Sequence, residues 1–506
     1  MVLWAVLGCA DVGDGSARAK NQKDHSASED SASEDSASDA RDIDVLIVGA
    51  GVAGLAAAIE AADGGASIML LEREEQAGGA ALLAGGLMMF SGTPEQAAMG
   101  IVDSPEQLLS EWASFTGGNP DDAWVQYFVA HNVDLVHDWL AAKGGVWSGI
   151  TADPSSGTTQ RVHQFDTHGE GLAALLLDEV PSSNIRTHAE AVDLIQDADG
   201  EIIGVTWTDL DDGSAHSTTA GAVILATGGF MHNLSRIQGV RPDLTDYDVR
   251  PSAFSGSDGN GLTLLERYGA ATRNLAALGL YAHAAPHPTD PEGEVEVPFM
   301  QGVPWVNAES SRFVDEFTTT SLITGSVRAS QPEGAAWMIA SGGTVGEGHF
   351  TDAEDAGTVF TMKDMLDAHV GALAEDLPSL ATMIGVGPDE LSQVVTDWNE
   401  VAAGRAADAF RSPDHPCAAM ERGPWIALPV AISAAKNFGG IDVDLSGRVL
   451  GTDGNVLPGV YAAGELTGMA GGSLVGEYGF TGSLSAVVLS GRVAGAAAAE
   501  AALSEE

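Results

Sequence analysis

Residues 43–54 read IDVLIVGAGVAG, and this stretch decides the fold. Its apolar first half is typical of a fully buried parallel strand. The glycines that follow have separate tasks: Gly49 permits a tight turn, Gly51 lets a pyrophosphate approach the backbone, and Gly54 lets the next helix pack closely on the strand. That Ala-rich helix, predicted over Leu55–Ala62, would offer free N–H groups and a positive dipole end to phosphates.

A second strand completes the pattern. Ser67–Leu71 is apolar and ends at Glu72, close to the spacing of about 20 residues expected for an acid that binds an adenosine ribose. Together, the strand, glycines, helix, second strand and terminal acid predict an α/β fold with a dinucleotide site. The residues predicted to hold the dinucleotide here are Gly49, Ala50, Gly51, Val52, Ala53, Gly54, Glu72 and Arg73.

Two later segments favour FAD over NAD. Ala222–Leu225 is a predicted strand that ends in Ala226-Thr227-Gly228, and Val460–Ala463 repeats the pattern before Gly464-Glu465 and a last helix. Two distant returns of the chain to one sheet suit the longer cofactor better. Taken alone, each segment is better described as an ordinary buried strand followed by a turn.

Composition excludes several classes of protein. The 506 residues are enough for two large domains or three average ones, and 44% of them are hydrophobic. With 22 basic against 72 acidic residues the net charge is −50, which repels nucleic acid and anionic lipid. We interpret this as a solvated, halophilic surface, the alternative being an acidic binding face. Cys9 and Cys417 are too few for a disulfide framework or a metal cluster, so no metal site is expected.

The N-terminal segment predicts export. Residues 1–10, MVLWAVLGCA, lack the basic start of a secretory signal, but Val6–Cys9 resembles a bacterial lipobox whose cysteine becomes acylated. Residues 26–39, SASEDSASEDSASD, form an acidic repeat that stays solvated and extended. We therefore expect a cell-envelope protein with a lipid anchor at Cys9 as its membrane contact; the alternative is a frayed N-terminus on a cytoplasmic protein.

A set of motifs then identifies a family. The chain resembles the flavoprotein superfamily of fumarate reductase, succinate dehydrogenase and the 3-ketosteroid dehydrogenases between about residues 42 and 503. The resemblance is carried by GAGVAG at 49–54, LEREEQAGGAALLAGG at 71–86, VILATGG at 223–229, GSDGNGL at 256–262, HPT at 287–289, VNAESSRFVDEFTTT at 306–320, NFGGIDVD at 437–444 and GVYAAGELTG at 459–468.

The resemblance implies an architecture and a cofactor. A Rossmann-like FAD-binding domain of the glutathione-reductase type would comprise 42–286 and 437–506, with an inserted α+β capping domain at 287–436, after a signal-like segment and linker at 1–41. FAD would be non-covalent, because the histidine that bonds it in succinate dehydrogenases is missing from Ala80-Ala81-Leu82. Further residues that it implies at FAD are Gly79, Ala80, Ala81, Ala84, Gly85, Gly86 and Leu87 at the phosphates and ring, Val192, Ala226, Thr227 and Gly228, then Asp258, Gly464 and Glu465 near the ribityl chain, and Ser483 and Leu484 at the pyrimidine edge. For Gly85-Gly86 a simple packing turn is the alternative.

The same resemblance allows the residues expected for fumarate reduction to be compared with those in this chain. His287 matches a dicarboxylate ligand of fumarate reductases, and Glu296 matches their proton-relay glutamate. The proton-donating arginine is replaced by Thr320, the second histidine falls at Ala435 or Lys436, and the second carboxylate arginine falls on Tyr478. Fumarate reduction is therefore disfavoured.

A tyrosine in that glycine loop is typical of ketosteroid dehydrogenases. We predict hydride transfer between flavin N5 and a C–C bond next to a carbonyl, with Tyr478 as the acid and Lys436 as a supporting cation. The alternatives are a packing residue in a loop for Tyr478 and a surface lysine at the start of a strand for Lys436. His287 could equally be the histidine of a proline turn. Aromatic and Met side chains predicted either to line a bulky-substrate pocket or to form the cap's own core are Phe299, Met300, Trp305, Trp337, Phe350 and Trp425.

Two other functions remain open. A fumarate- or urocanate-type enoate reductase would rely on Arg328, His287 and Lys436 as cations. A flavin electron carrier would have no substrate site at all. In each case the chain contains no C-x-x-C-H haem motif, so a separate electron donor or acceptor is expected.

Overall fold

The structure is a computed structural model that describes residues 41–151, 157–291, 293–297, 302–316, 336–345, 349–352, 358–412, 415, 417, 419–420, 422–476 and 479–504. Residues 41–506 belong to one compact unit. Some sequence predictions fall outside the described residues, namely those on Cys9, Phe299, Met300, Thr320, Arg328 and Tyr478.

Short strands and helices alternate along the described residues. The strands are β1 (Ile43–Val48), β2 (Ile68–Leu71), β3 (Leu87–Met89), β4 (Trp147–Thr151), β5 (Val162–Phe165), β6 (Ile185–Arg186), β7 (Ala189–Gln196), β8 (Ile202–Asp209), β9 (Ala215–Leu225), β10 (Val249–Pro251), β11 (Thr272–Arg273), β12 (Leu278–Pro286), β13 (Glu294–Glu296), β14 (Trp305–Val306), β15 (Trp337–Ser341), β16 (His349–Asp352), β17 (Val359–Thr361), β18 (Ala372–Ala374), β19 (Trp425–Pro429), β20 (Ala431–Asn437), β21 (Gly440–Ile441), β22 (Arg448–Leu450) and β23 (Val456–Ala462). The helices are α1 (Val52–Asp63), α2 (Pro94–Ala98), α3 (Pro105–Thr116), α4 (Ala123–His131), α5 (Asp138–Ala142), α6 (His168–Leu177), α7 (Leu234–Val240), α8 (Asn260–Arg267), α9 (Gly342–Val345), α10 (Met362–Asp367), α11 (Leu377–Ile384), α12 (Pro388–Ala402) and α13 (Leu484–Ser504).

The first sheet confirms the predicted α/β fold. Its strands run in the order β22-β23-β9-β1-β2-β6, and β1 pairs in parallel with both β2 and β9. The late strand β23 also pairs in parallel with β9, so the two distant returns predicted from the sequence do join one sheet. Helix α1 begins at Val52, three residues earlier than predicted, because Gly51 is the extended residue before the helix and Gly54 lies in its first turn.

A second group of strands follows β10. One sheet has the order β10-β20-β12-β13-β16-β17, and another has the order β14-β15-β19-β18. These sheets enclose two hydrophobic clusters that are separate from the core of the first sheet; one is centred on Trp305 and Phe350, the other on Trp398 and Trp425. The predicted domain boundary at 286/287 coincides with the end of β12, and the one at 436/437 falls one residue before the end of β20. The division into two domains stays a prediction.

The last helix closes the first sheet from one side. A Cβ at Gly491 would lie 2.3 Å from the Ala53 carbonyl oxygen, and one at Gly495 would lie 2.3 Å from that of Ala57, so α13 and α1 touch backbone to backbone. Among the described helices α13 is the one long and apolar enough to cross a membrane. Because it is packed in the core of the first sheet, we treat it as a core helix.

We predict that Gly495→Ala destabilises the protein by about 1–3 kcal/mol, because the added methyl group overpacks the contact with α1. Helix propensity alone would give the opposite sign, a gain of about 1 kcal/mol. The matched control is Gly239→Ala in α7, where a Cβ would meet nothing within 4 Å and a gain is expected. Urea unfolding in high salt measures both, and equal gains in the two variants would contradict the close packing.

Candidate active site

A cavity of about 860 Å³ opens where parallel strands of the first sheet end. It is lined by Gly49 after β1, Glu72 after β2, Ala226 after β9 and Glu465 after β23. Ligands of open α/β sheets bind outside the carboxyl ends of the strands, and pockets of about 300–1,000 Å³ are typical of small-molecule sites. The cavity is therefore the candidate cofactor and substrate site.

The glycines of the first loop have different structural reasons. Gly49 has φ of +99°, and a Cβ there would lie 2.5 Å from the carbonyl oxygen of Ala226. A Cβ at Gly54 would lie 1.9 Å from the carbonyl oxygen of Gly49. At Gly51, in contrast, the nearest atom would be 3.9 Å away, so no protein atom forbids a side chain there. Gly51 leaves room for a ligand, whereas Gly49 and Gly54 serve the fold.

Two more observations fit a bound dinucleotide. Helix α1 starts at the cavity, and no side chain caps its N-terminus, which leaves backbone N–H groups for an anion. Thr227 also lines the cavity, and its buried Oγ1 has no hydrogen-bond partner among the described residues. Buried polar atoms are normally paired, so this hydroxyl is suited to a ligand.

Glu72 organises the loop that it was predicted to serve. Its Oε2 accepts the Ala50 N–H at 2.7 Å and its Oε1 accepts the Glu74 N–H at 2.9 Å. Burial raises the pKa of this carboxyl, and the two backbone N–H groups oppose that rise. Its neighbour Arg73 pairs with Asp258 at 2.6 Å. Asp258 therefore contacts Arg73, the residue after Glu72. Its position at the ribityl chain of FAD stays a prediction.

Most predicted cofactor residues do line this one cavity. They are Gly49, Gly51, Val52, Ala53, Glu72, Arg73, Gly79, Ala80, Ala81, Ala84, Gly85, Gly86, Leu87, Val192, Ala226, Thr227, Gly228, Asp258, Glu465, Ser483 and Leu484. Ala50, Gly54 and Gly464 are not among the lining residues; Gly464, with φ of +71°, brings its backbone against Ala53 of α1.

The pair Gly85-Gly86 combines both of its proposed roles. Gly86 has φ of +73°, and a Cβ there would lie 2.6 Å from Cα of His168, so packing requires this glycine. Gly85 is open, since the nearest atom to its Cβ would be 4.0 Å away. Neither histidine nor cysteine occurs among the described residues that line the cavity, and non-covalent binding of FAD stays a prediction.

Lys436 reaches the cavity because of an irregularity in β20. The pairing of β12 with β20 shifts by one residue at Ala435, and this bulge puts Lys436 on the same face as Ser433 and Tyr281. Lys436 Nζ donates to Ser483 Oγ at 3.3 Å and lies 5.9 Å from the centroid of the Tyr281 ring. Tyr281 also lines the cavity, and sequence reasoning missed it.

Glu465 is the acidic neighbour of this group. Its Oε1 accepts the backbone N–H of Asn437 at 3.0 Å. Burial raises the pKa of Glu465 to about 7, while that hydrogen bond and the positive charge of Lys436 oppose the rise. This end of the cavity therefore combines one ammonium group with a carboxyl group that is easily protonated.

The structure does not bring His287 and Glu296 to the cavity. His287 Nε2 lies 3.1 Å from Asp352 Oδ2, and its Nδ1 accepts the N–H of Asp290 at 2.8 Å. These are the contacts of a histidine that holds a proline-rich turn, the alternative stated from the sequence. Glu296 is exposed on β13. Catalytic roles for both stay predictions, and the described geometry does not support them.

Four of the aromatic residues predicted for the capping segment are described. Trp305, Phe350 and Trp425 are buried within the two hydrophobic clusters outside the first sheet, and Trp337 packs against one of them. These residues belong to the clusters and do not line the described cavity. These four residues therefore do not support the prediction of a pocket lined for a bulky substrate.

Comparisons with known proteins agree with this geometry. Residues 44–476 match the FAD binding domain family. The chain belongs to this family. It is 30% identical to a fumarate reductase (cytochrome) of Shewanella frigidimarina over 90% of this chain and 77% of that protein. It is 26% identical to a KsdD-like steroid dehydrogenase of Mycobacterium tuberculosis over 90% of this chain and 96% of the other.

A solved structure shows the same fold. The open conformation of a flavocytochrome c3 fumarate reductase has a TM-score of 0.71 at 23% identity and covers 91% of this chain and 78% of that chain. The resemblance stated from the motifs is thus confirmed for the family and the fold. This protein is an FAD-dependent oxidoreductase, and FAD is its cofactor.

We predict that Gly51→Val folds but loses FAD affinity by more than about 100-fold, which corresponds to about 2.8 kcal/mol. The valine side chain has room in the protein and would occupy the ligand's space. Gly49→Ala is the contrasting variant, because its methyl group meets backbone and it should fail to fold. Flavin absorbance after FAD saturation, together with circular dichroism, separates the two effects. Full flavin content in Gly51→Val would contradict the assignment.

Proposed function

We propose that the enzyme transfers a hydride to or from a C–C bond adjacent to a single carbonyl group. The observation that carries the proposal is the position of Lys436 at the cavity, where its Nζ lies 5.9 Å from the centroid of the Tyr281 ring. An ammonium group beside a carbonyl oxygen polarises the carbonyl and stabilises the charge that develops on it. Membership of the family supports the hydride transfer, and these residues support a carbonyl compound as the substrate.

FAD would be held by residues already described. The N-terminus of α1 and Gly51 would hold the pyrophosphate, and Ser483 with the start of α13 would hold the ring, without a covalent bond. When bound, FAD accepts or returns a hydride at N5. The chain's own residues orient the substrate, exclude water, and donate or accept the proton that accompanies each hydride.

The distribution of cations argues against a dicarboxylate substrate. Among the described residues that line the cavity, Arg73 pairs with Asp258 at 2.6 Å, and Arg267 lies 3.7 Å from Asp193 and donates to the Val192 carbonyl. Lys436 is the remaining lining cation in that set. A dicarboxylate needs charge-assisted bonds at both ends, which one ammonium group cannot provide.

An enoate reductase is the second candidate. Lys436 lies beside Ser483, and Ser483 is the residue directly before α13. An ammonium group next to the N-terminus of a helix is suited to binding one carboxylate. The similarity to a fumarate reductase also favours this function. Because His287 is held by Asp352, Lys436 is the one described residue that remains of the three cations named from the sequence, and Arg328 lies outside the described residues.

An anaerobic screen in high salt separates the candidates through the flavin spectrum. Oxidised enzyme would be mixed with saturated ketones and 3-ketosteroids, and reduced enzyme with enones, fumarate and urocanate. Bleaching by a ketone or reoxidation by an enone supports the proposal. Reoxidation by an enoate alone supports the second candidate. No response to any of them would indicate an electron carrier without a substrate site.

We predict that Lys436→Met retains FAD but slows the substrate half-reaction by about 100-fold, as expected for removing one donor to a developing oxyanion. The matched control is Lys363→Met, whose side chain is 79% exposed in an ion pair on the surface. Stopped-flow flavin absorbance measures both. If Lys436→Met reacts as fast as Lys363→Met, the lysine does not act on the substrate.

We also propose that the enzyme is anchored in the cell envelope and exchanges electrons with a separate partner protein. The lipobox-like Val6–Cys9 and the acidic linker at 26–39 support the anchor. We expect the wild-type protein expressed in a bacterial host to incorporate labelled palmitate and Cys9→Ser to incorporate none. Equal labelling of both proteins would contradict the anchor.

A further inference from the structure

The cavity has two ends, and the strand order indicates which of them takes the flavin ring. One end lies at Glu72, after β2, where Arg73 pairs with Asp258. In the sheet, β9 and β23 lie on the opposite side of β1 from β2. With the ribose at Glu72 and the pyrophosphate at the start of α1, we expect FAD to extend past the ends of β9 and β23. The ring therefore belongs at the end that contains Lys436 and Ser483.

Lys436 brings a positive charge to that end of the cavity. Its Nζ donates to Ser483 Oγ at 3.3 Å and lies 5.9 and 5.5 Å from the ring centroids of Tyr281 and Phe438. No carboxylate in the described part of the chain forms an ion pair with it. A charge in a buried cavity is screened by salt much less than a charge on the surface. The ammonium group therefore keeps its effect on a bound ligand at high salt.

The last helix adds a second positive group at the same place. Ser483 is 8% exposed and precedes Leu484, the first residue of α13, which also lines the cavity. The first N–H groups of a helix have no partner within the helix, and its N-terminus carries a partial positive charge. An ammonium group beside a helix N-terminus is most favourable where a ligand brings negative charge.

Reduction brings that negative charge to the flavin ring. A hydride carries two electrons and one proton, so its transfer to the neutral ring leaves one additional negative charge there. A positive charge nearby stabilises the reduced ring relative to the oxidised ring. Because the midpoint potential measures that difference in stability, the charge of Lys436 raises the potential.

Glu465 is placed to offset the charge of Lys436. It lines the cavity, and its Oε1 accepts the Asn437 N–H at 3.0 Å. Burial raises its pKa to about 7, while that hydrogen bond and the positive charge of Lys436 oppose the rise. The described neighbours on the other elements are neutral. They are Gly229 after β9, whose Cβ would lie 2.6 Å from Oε1, and Ala53 on α1, which packs against the residue before Glu465.

We propose that Lys436 sets the midpoint potential of the bound flavin by stabilising its reduced form, and that Glu465 makes this potential depend on pH. The inference goes beyond the proposed function, because it concerns the cofactor and applies whichever substrate reacts. The same ammonium group can act on a substrate oxygen, since Coulomb interactions in a cavity extend over several ångströms.

The sign of the pH dependence follows from the charges. Below about pH 7 the carboxyl of Glu465 is protonated and neutral, so the charge of Lys436 favours reduction in full. Above that pH the carboxylate of Glu465 offsets the charge of Lys436. The potential should therefore fall more steeply around pH 7 than the uptake of the hydride's own proton requires.

The first test is the binding of sulfite to the oxidised holoenzyme at one fixed pH, followed as the loss of flavin absorbance without substrate. Sulfite donates its electron pair to flavin N5 and leaves a negative charge on the ring, so its affinity reports the same stabilisation. Lys436→Met should bind sulfite about 10- to 100-fold more weakly than wild type, as expected for the loss of one nearby charge. Lys436→Arg should restore most of the affinity, and the surface variant Lys363→Met should equal wild type.

The second test is the midpoint potential of the flavin, measured by reductive titration against a reference dye at several pH values. Lys436→Met should have a lower potential, by about 30 mV for each tenfold loss in stabilisation of the reduced form. Wild type should show the steeper fall around pH 7, whereas Glu465→Gln, which keeps an acceptor for the Asn437 N–H, should not. The matched control Glu500→Gln, on the exposed side of α13, should keep the steeper fall.

The outcomes separate this inference from the proposed function, because neither test contains substrate. Equal sulfite affinity and equal potential in Lys436→Met and wild type overturn the inference and leave the proposed function in place. A loss that Lys436→Arg does not restore also overturns it, because the charge would then not be the cause. If Lys436→Met does not retain FAD, identical pH profiles of wild type and Glu465→Gln overturn the inference.

The reverse separation also holds. Failure of ketones, enones and enoates to react overturns the proposed function alone, since the potential and the sulfite affinity are measured without them. A lower potential by itself would favour reoxidation of the reduced flavin by an enone. A slow reaction of reduced Lys436→Met with an enone therefore reports the action of the lysine on the substrate and not its effect on the potential.

Discussion

The close approach of Gly49 to Ala226 is the contact on which the site depends. The carbonyl oxygen of Ala226 occupies the space that a Cβ at residue 49 would fill, and Gly54 comes equally close to the Gly49 carbonyl. Through these contacts, the backbones at the end of β1, the start of α1 and the end of β9 touch one another directly. The open position at Gly51 and the uncapped start of α1 lie directly beside these contacts.

The distribution of charge gives the site its chemistry. A chain with a net charge of −50 has few cations, and most of those at the cavity are committed to carboxylates. Lys436 is held beside a hydroxyl and two aromatic rings instead. Its charge is thus available to a ligand, and it also lowers the cost of ionising Glu465. Among the described lining residues, one available ammonium group is more consistent with one carbonyl or carboxylate oxygen than with a dicarboxylate.

The sequence predicted those features that depend on local rules. The β1-α1-β2 unit follows from apolar runs and glycine spacing, and Gly49 and Gly54 are required by backbone geometry alone. The later strands that return to the sheet were predicted because each ends in a recognisable glycine turn. Local rules therefore predicted the first glycine loop and Glu72, whereas the other cofactor residues were predicted only through the resemblance to the family.

The substrate side was less predictable, for physical reasons. Lys436 and Ser433 would lie on opposite faces of a regular strand, and only the bulge at Ala435 brings them to one face. Tyr281 reaches the cavity through the same pairing.

The most direct measurement is a crystal structure of the holoenzyme grown in high salt. The account predicts that the pyrophosphate of FAD accepts N–H groups at the start of α1 over Gly51, and that the ring lies beside Ser483 and Lys436. A pyrophosphate bound elsewhere, or a ring remote from Lys436, would contradict the account.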